Sequence, residues 1–185
     1  MTNFSGERFP FAACGDDVTI YGHTQILGAE AMRVGSHVIV DDFVFIDGRA
    51  GLTIGDHVHI AGFVSIIGQG ECVLGDFAGL AAGTRLVTGT DIMDGSGLTG
   101  PTIPDEFRSV HRGRIEIGRH AVVGTNSVVH PDVTIGDGAI IGSGSVVTRD
   151  IPAWSIALGA PARVVGQRDQ ANVERLEAEL RSQRG

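Results

Sequence analysis

A six-residue period between Ile117 and Val147 constrains this chain more than any other feature. Written in sixes, the stretch reads IGRHAV, VGTNSV, VHPDVT, IGDGAI, IGSGSV, V. The first position is always aliphatic: Ile117, Val123, Val129, Ile135, Ile141 and Val147. The second is mostly glycine (Gly118, Gly124, Gly136, Gly142), and the fifth is small or β-branched (Ala121, Ser127, Val133, Ala139, Ser145). A helix repeats its apolar residues about every 3.6 positions and a flat strand about every 2. A period of six instead predicts a parallel β-helix, each six making one strand and one corner, three sixes closing a triangular coil. Position 1 points into the prism and position 5 sits inside near the corner. Glycine at position 2 suits tight backbone there, through its missing Cβ and its tolerance of positive φ.

Upstream the same pattern runs with a longer unit. Cys14-Gly15, Val34-Gly35, Ile54-Gly55 and Leu74-Gly75 start units 20 residues apart. The sixes hold inside each unit, so two residues are extra, at Met32-Arg33, Leu52-Thr53 and Cys72-Val73. They predict a two-residue bulge at one corner three times running, forming either a stacked ridge or simply a wider corner. The period stops at Leu86, and VTGTDIMDGSGLTGPTIPDEFRSVHRGR, residues 87–114, has none. A loop of this length inside a repeat is expected to be functional and ordered against something else, such as a neighbouring subunit.

The ends differ from the repeat. Residues 1–13, with Phe4, Phe9 and Phe11 around Pro10, read as an arm covering the first coil. Residues 14–166 form the β-helix domain. In residues 167–185, Val173, Leu176 and Leu180 predict a short amphipathic helix with Asn172 as N-cap, folding back over the last coil.

Composition agrees with a narrow prism. Of 185 residues 28 are glycine and only 5% aromatic, which leaves little to fill a wide interior. A net charge of −8 argues against a nucleic-acid surface. No signal-like segment or membrane-spanning apolar run is evident, so a soluble cytoplasmic protein is the expectation. Cys14 and Cys72 both fall at inward positions and are expected to be buried thiols. His37 and His57 share a slot in consecutive coils and should stack on the surface; His120 and His130 are expected to face solvent.

The hexapeptide run, the tail VVGTNSVVHPDVTIGDGAIIGSGSVVTRDIPAWSIALGAPARVV and the long loop together resemble the left-handed β-helix acyltransferases. The likeness spans roughly residues 34–166 and points to the galactoside and maltose acetyltransferases and their polysaccharide-modifying relatives. It implies an all-β, left-handed parallel β-helix; parallel crossovers are otherwise almost always right-handed. It also implies a homotrimer that takes acetyl-CoA or another acyl-CoA and needs no metal. The cofactor would lie in the groove between two prisms, its thioester near the long loop.

Carried over residue by residue, the resemblance puts Thr125 and Ser143 beside the pantetheine, Thr148 and Arg149 further along, and Arg163 at the nucleotide phosphates. A guanidinium fork suits phosphate. As ordinary coil residues, Thr125 and Ser143 would need no such role. The O-acetylating relatives carry Thr-Gly-His after a strand, its histidine acting as general base. Here the stretch is Thr88-Gly89-Thr90-Asp91, with no histidine. Asp91 matches by straight count and Thr90 if the Thr-Gly pair is aligned.

Three replacements for the base stay open: Asp91, His59 on the preceding coil, and His111 in the loop, with Asp47 a candidate contact for sugar hydroxyls. Asp91 as a mere cap of the loop is the plain alternative. A base contributes about 10²–10⁴-fold, so a hydroxyl acceptor should need one. An amine needs less help. The favoured expectation is therefore N-acylation of a nucleotide-linked amino sugar for a surface polysaccharide, with O-acylation of a sugar hydroxyl second. A zinc γ-carbonic-anhydrase-like protein, needing three converging imidazoles, and a non-catalytic β-helix module are remote alternatives.

Overall fold

The computed structural model describes residues 4–5 and 8–183. Within them the chain winds as a three-sided solenoid of short parallel strands. One face pairs Thr19–Ile20, Ile39–Val40, His59–Ile60, Gly79–Leu80, Val122–Val123 and Ile140–Ile141 in that order. The second stacks Gln25–Leu27, Phe45–Asp47, Ser65–Ile67, Arg85–Val87, Val128–Val129 and Val146–Val147. The third stacks Ala13–Cys14, Met32–Val34, Leu52–Ile54, Cys72–Leu74, Ile115–Ile117 and Thr134–Ile135. Neighbours in every face are one coil apart in sequence, which is the β-helix predicted from the period of six.

The interior follows the pattern. Ile117, Val123, Val129, Ile135, Ile141 and Val147 are all buried, and so are Ala121, Ser127, Val133, Ala139 and Ser145 at position 5. Of the two causes expected for glycine at position 2, the missing Cβ holds and positive φ does not. Positive φ falls at position 4 instead, at His120, Asn126, Asp132, Gly138 and Gly144. Position 2 is glycine because the next coil's backbone lies against it: a Cβ on Gly124 would sit 2.6 Å from the Ile141 carbonyl oxygen.

Position 4 also builds a column of rings along one corner. His37, His57, Phe77 and His120 stack at centroid spacings of 4.6, 4.7 and 4.6 Å. Each holds φ near +60°, a conformation costing a non-glycine residue on the order of 1 kcal/mol, offset here by ring contact.

The extra residues of the upper coils form no bulge. Met32–Val34, Leu52–Ile54 and Cys72–Leu74 are regular strands in register, with Met32, Leu52 and Cys72 pointing inward and buried. One residue has been added to each strand flanking the corner, Phe45–Asp47 and Leu52–Ile54 having three residues where Val128–Val129 and Thr134–Ile135 have two. The corner is wider, and the excursion leaves from it.

Both ends of the first face are closed by antiparallel strands. Phe4–Ser5 pairs with Thr19–Ile20, and Arg163–Gln167 folds back on Ser155–Leu158. Phe9 and Phe11 pack against the core; residues 1–3 and 6–7 of the expected arm, and the Phe4 side chain, lie outside the described residues. So do residues 184–185 of the C-terminal segment.

The helix is Gln170–Ser182 and starts three residues before the sequence expectation. Asp169, not Asn172, is the N-cap, its carboxylate accepting from the Asn172 amide at 3.1 Å. The helix lies along the ring column rather than over the end of the stack. Glu177 is buried there, accepting from His120 Nε2 at 2.7 Å, Arg181 Nε at 2.7 Å and Arg119. His120 is therefore buried, against expectation, while His130 is exposed. Burial opposes the Glu177 charge, and these three donors outweigh it, leaving its pKa at about 2.

Cys14 corrects another expectation: it is exposed, lying in the terminal strand of its face, which pairs on one side only. Cys72 is enclosed, and burial pushes its thiol up to about 12.

Candidate active site

The excursion is fastened at its root by Thr88. This buried hydroxyl donates to the Ile67 carbonyl and accepts from the Gly70 amide, each at 2.9 Å, while the Thr88 carbonyl takes the Gly113 amide at 2.8 Å. Gly68, Gly70 and Gly89 are required by this closure: a Cβ on any of them would collide with backbone across the root. The Thr-Gly pair thus has a structural role that spacing alone did not show.

From the root, Gly89–Asp91 and Val110–Arg112 form an antiparallel hairpin. Gly89 faces Arg112, Thr90 faces His111, and Asp91 faces Val110. Side chains alternate along a strand pair, so Asp91, Val110 and Arg112 share one side, while Thr90 and His111 take the other, Thr90 still edging the cleft. That first side looks into a cleft of about 400 Å³. Its wall on the prism comes from Asp47, Ile67 and Val87, the residues that widening the corner added to three successive strands.

The cleft holds two carboxylates, each with its own guanidinium. Asp47, 7% exposed, accepts from Arg49 Nε at 2.8 Å and Nη2 at 2.7 Å. That pairing holds its pKa below the usual carboxylate range. Asp91 accepts from the Gly100 amide at 2.8 Å and from Arg108 at 2.7 and 3.1 Å. The Gly100 amide, then Arg108, lower its pKa too. Carboxylates this well satisfied are poor proton acceptors and good hydrogen-bond acceptors.

The sequence candidates are thus divided. Asp47, Thr90 and Asp91 line the cleft. His59 and His111 do not. His59 projects from another face of the prism, 3.1 Å from Asp41. His111 turns away on its hairpin, with Nε2 2.6 Å from Asp132. The sequence reading missed Arg108 and Arg112, which also line the cleft; the break in the period around VHRGR was the available signal.

Three of the expected cofactor residues, Thr125, Ser143 and Arg163, follow an edge on the second face's other side. Thr125 and Ser143 are exposed on successive coils of that corner, joined by the Gly144 amide donating to the Thr125 carbonyl at 2.8 Å. The turn at Gly159 continues the edge, its amide reaching Ser145 Oγ at 3.1 Å, and leads into Arg163. Thr148 and Arg149 lie across the face, on the excursion's corner. Among the described residues no three His, Cys, Asp or Glu groups are placed to hold a metal ion.

Fold and cleft together define a solenoid transferase built from hexapeptide repeats. Residues 114–149 match the model for the bacterial transferase hexapeptide (six repeats). Over 165 residues the chain is 33% identical to a dTDP-4-amino-4,6-dideoxy-D-glucose acyltransferase of Escherichia coli, spanning 89% of this chain and 86% of the relative. The chain belongs to that family, the hexapeptide-repeat acyltransferases.

Solved structures agree. AntD, an N-acyltransferase from Bacillus cereus in complex with dTDP and 3-hydroxybutyryl-CoA, superposes with a TM-score of 0.92 at 29% identity, covering 99% of this chain and 98% of that one. A point variant of AntD with dTDP-4-amino-4,6-dideoxyglucose and coenzyme A gives 0.91 at 30% identity and 97% coverage of both. A maltose O-acetyltransferase from Clostridium difficile 630 shares the fold at a TM-score of 0.58 and 21% identity, covering 86% of this chain and 71% of that one.

Proposed function

We propose that this chain transfers an acyl group from acyl-CoA to the amino group of a nucleotide-linked amino sugar, as a cytoplasmic homotrimer. The observation that carries the reading is the makeup of the cleft. Among its described lining residues there are two ionised, arginine-held carboxylates and no histidine. Such a site orients a nucleophile rather than deprotonating a hydroxyl. The E. coli relative and AntD, named for amino-sugar and N-acyl transfer, support the same acceptor.

In this reading Asp91 accepts a hydrogen bond from the sugar amine, Thr90 borders the amine, and Asp47 holds a ring hydroxyl. The amine nitrogen attacks the thioester carbon and the C–S bond breaks. One proton leaves nitrogen and one reaches the departing sulfur, giving an amide and free CoA thiol. Thr125 and Ser143 flank the pantetheine, Arg163 meets the cofactor's phosphates, and Thr148 and Arg149 lie further along, at the excursion's corner.

A second reading, O-acylation, rests on the two exposed His–Asp pairs, His59 with Asp41 and His111 with Asp132. These have the base-and-orienter arrangement a hydroxyl needs. Free-thiol release from acetyl-CoA, assayed with a dTDP-linked amino sugar and its hydroxyl counterpart, separates the two. The expected result is turnover with the amine alone, retained within about tenfold in His59→Ala and His111→Ala. Hydroxyl turnover lost a hundredfold or more in either variant would replace the N-acyl reading.

A further inference from the structure

We infer that Arg112 anchors the acceptor's diphosphate and thereby makes the enzyme choose nucleotide-linked over free amino sugars. This rests on the N-acyltransferase reading of the cleft.

The charges around the hairpin leave one cation over. Asp47 is taken by Arg49. Arg108 is shared by Asp91 at 2.7 Å and Asp105 at 3.5 Å. Arg112 has no carboxylate within ion-pair distance among the described residues, although it lines the cleft. Its place there is built by the backbone. Gly89 stands directly opposite in the hairpin, and even a Cβ at that position would come to 3.2 Å of Arg112 Cγ. With glycine there, the Arg112 stem lies across the hairpin.

A second hollow of about 290 Å³, lined by Asp105, Arg108, Val110 and Arg112, adjoins the first, and the last three wall both. An acceptor with its sugar in the larger cleft and its nucleoside beyond the smaller hollow carries its diphosphate past that shared wall. A guanidinium fork matches phosphate oxygens in pairs; Asp105 in the hollow is paired with Arg108, and Arg112 is the cleft arginine that no carboxylate holds among the described residues. Coenzyme A also carries a diphosphate, so the two sources must be told apart.

The experiment is calorimetric titration of dTDP, thymidine and CoA into wild type, Arg112→Lys and Arg112→Ala. We expect Arg112→Ala to weaken dTDP by about tenfold or more, the worth of a lost charged hydrogen bond. Arg112→Lys should fall between, since a point charge keeps the attraction without the fork. Thymidine and CoA affinities should stay within about twofold, which also shows that the variant is folded. Equal dTDP binding by Arg112→Ala overturns the inference, as does an equal loss for thymidine or a loss for CoA in place of dTDP. Failure of the wild type to bind dTDP overturns it too. A wild type that releases no thiol with any amine, yet binds dTDP through Arg112, sinks the N-acyl reading and leaves the anchor standing.

Discussion

The coils of residues 117–147 and those of residues 32–87 are the same object with one difference. The lower coils turn every corner with the minimum chain, and nothing there but a smooth edge is offered to a ligand. The upper coils spend two more residues at one corner, one on each flanking strand. That small excess supplies Asp47, Ile67 and Val87 to the cleft and lets the 88–113 excursion dock. Regularity makes the prism stable; chemistry collects where regularity is broken at the same place repeatedly.

The contrast can be broken most forcefully in the plain coils. Ile117→Ala should cost 2–5 kcal/mol, since a buried aliphatic side chain leaves a cavity between stacked rungs. Urea denaturation reads the loss, and acyl transfer by the folded fraction should hardly change.

Thr88→Val tests the widened corner. It removes a hydroxyl bonded on both sides, worth about 1–3 kcal/mol where a buried partner is left unsatisfied. The damage is expected in the excursion. Hydrogen exchange at Gly70 and Gly113 should quicken and KM for the acceptor should rise, with the global urea midpoint moved less than in Ile117→Ala.

Acid probes the ring column that both regions share. The Glu177 pKa is depressed in the folded chain, to about 2 from an ordinary 4.5. Its contribution is therefore complete above pH 4.5 and fades as pH falls toward 2. The melting temperature of Glu177→Gln should be below wild type near neutrality and converge on it between those values. The smallest effect is chemical. Exposed Cys14 should react with a disulfide reagent in the native state, while Cys72, buried and held protonated, should react only after unfolding.

The sequence makes the prism legible because its rule is local: every sixth side chain must enter a space of fixed width. Ile117, Val123 and Val129 reveal it without any knowledge of distant partners. The cleft obeys no such rule. Asp91 and Arg108 meet across 17 residues of non-repeating chain, and Arg112 faces Gly89 through a hairpin whose register no period announces. Glu177 was equally hidden, since its helix shows only an apolar stripe, and its buried side is defined by His120 and Arg119 on a coil 57 residues away. The glycines at position 2 were read correctly as lacking room for a Cβ and incorrectly as needing positive φ; that the close contact lies between coils is invisible within one.

Position-2 glycines have a consequence for how such chains can grow. Because each coil seats on the next through bare backbone, a duplicated coil can be spliced into the stack like a course of bricks, lifting everything above it by about 4.8 Å. Added within residues 117–147, it would lengthen the prism and leave the corner that carries the cleft untouched. Added between Asp47 and Val87, it would draw the two carboxylates apart by a full course. A chain built this way can thus gain coils outside the Asp47–Val87 interval without disturbing the cleft, and cannot gain one within it.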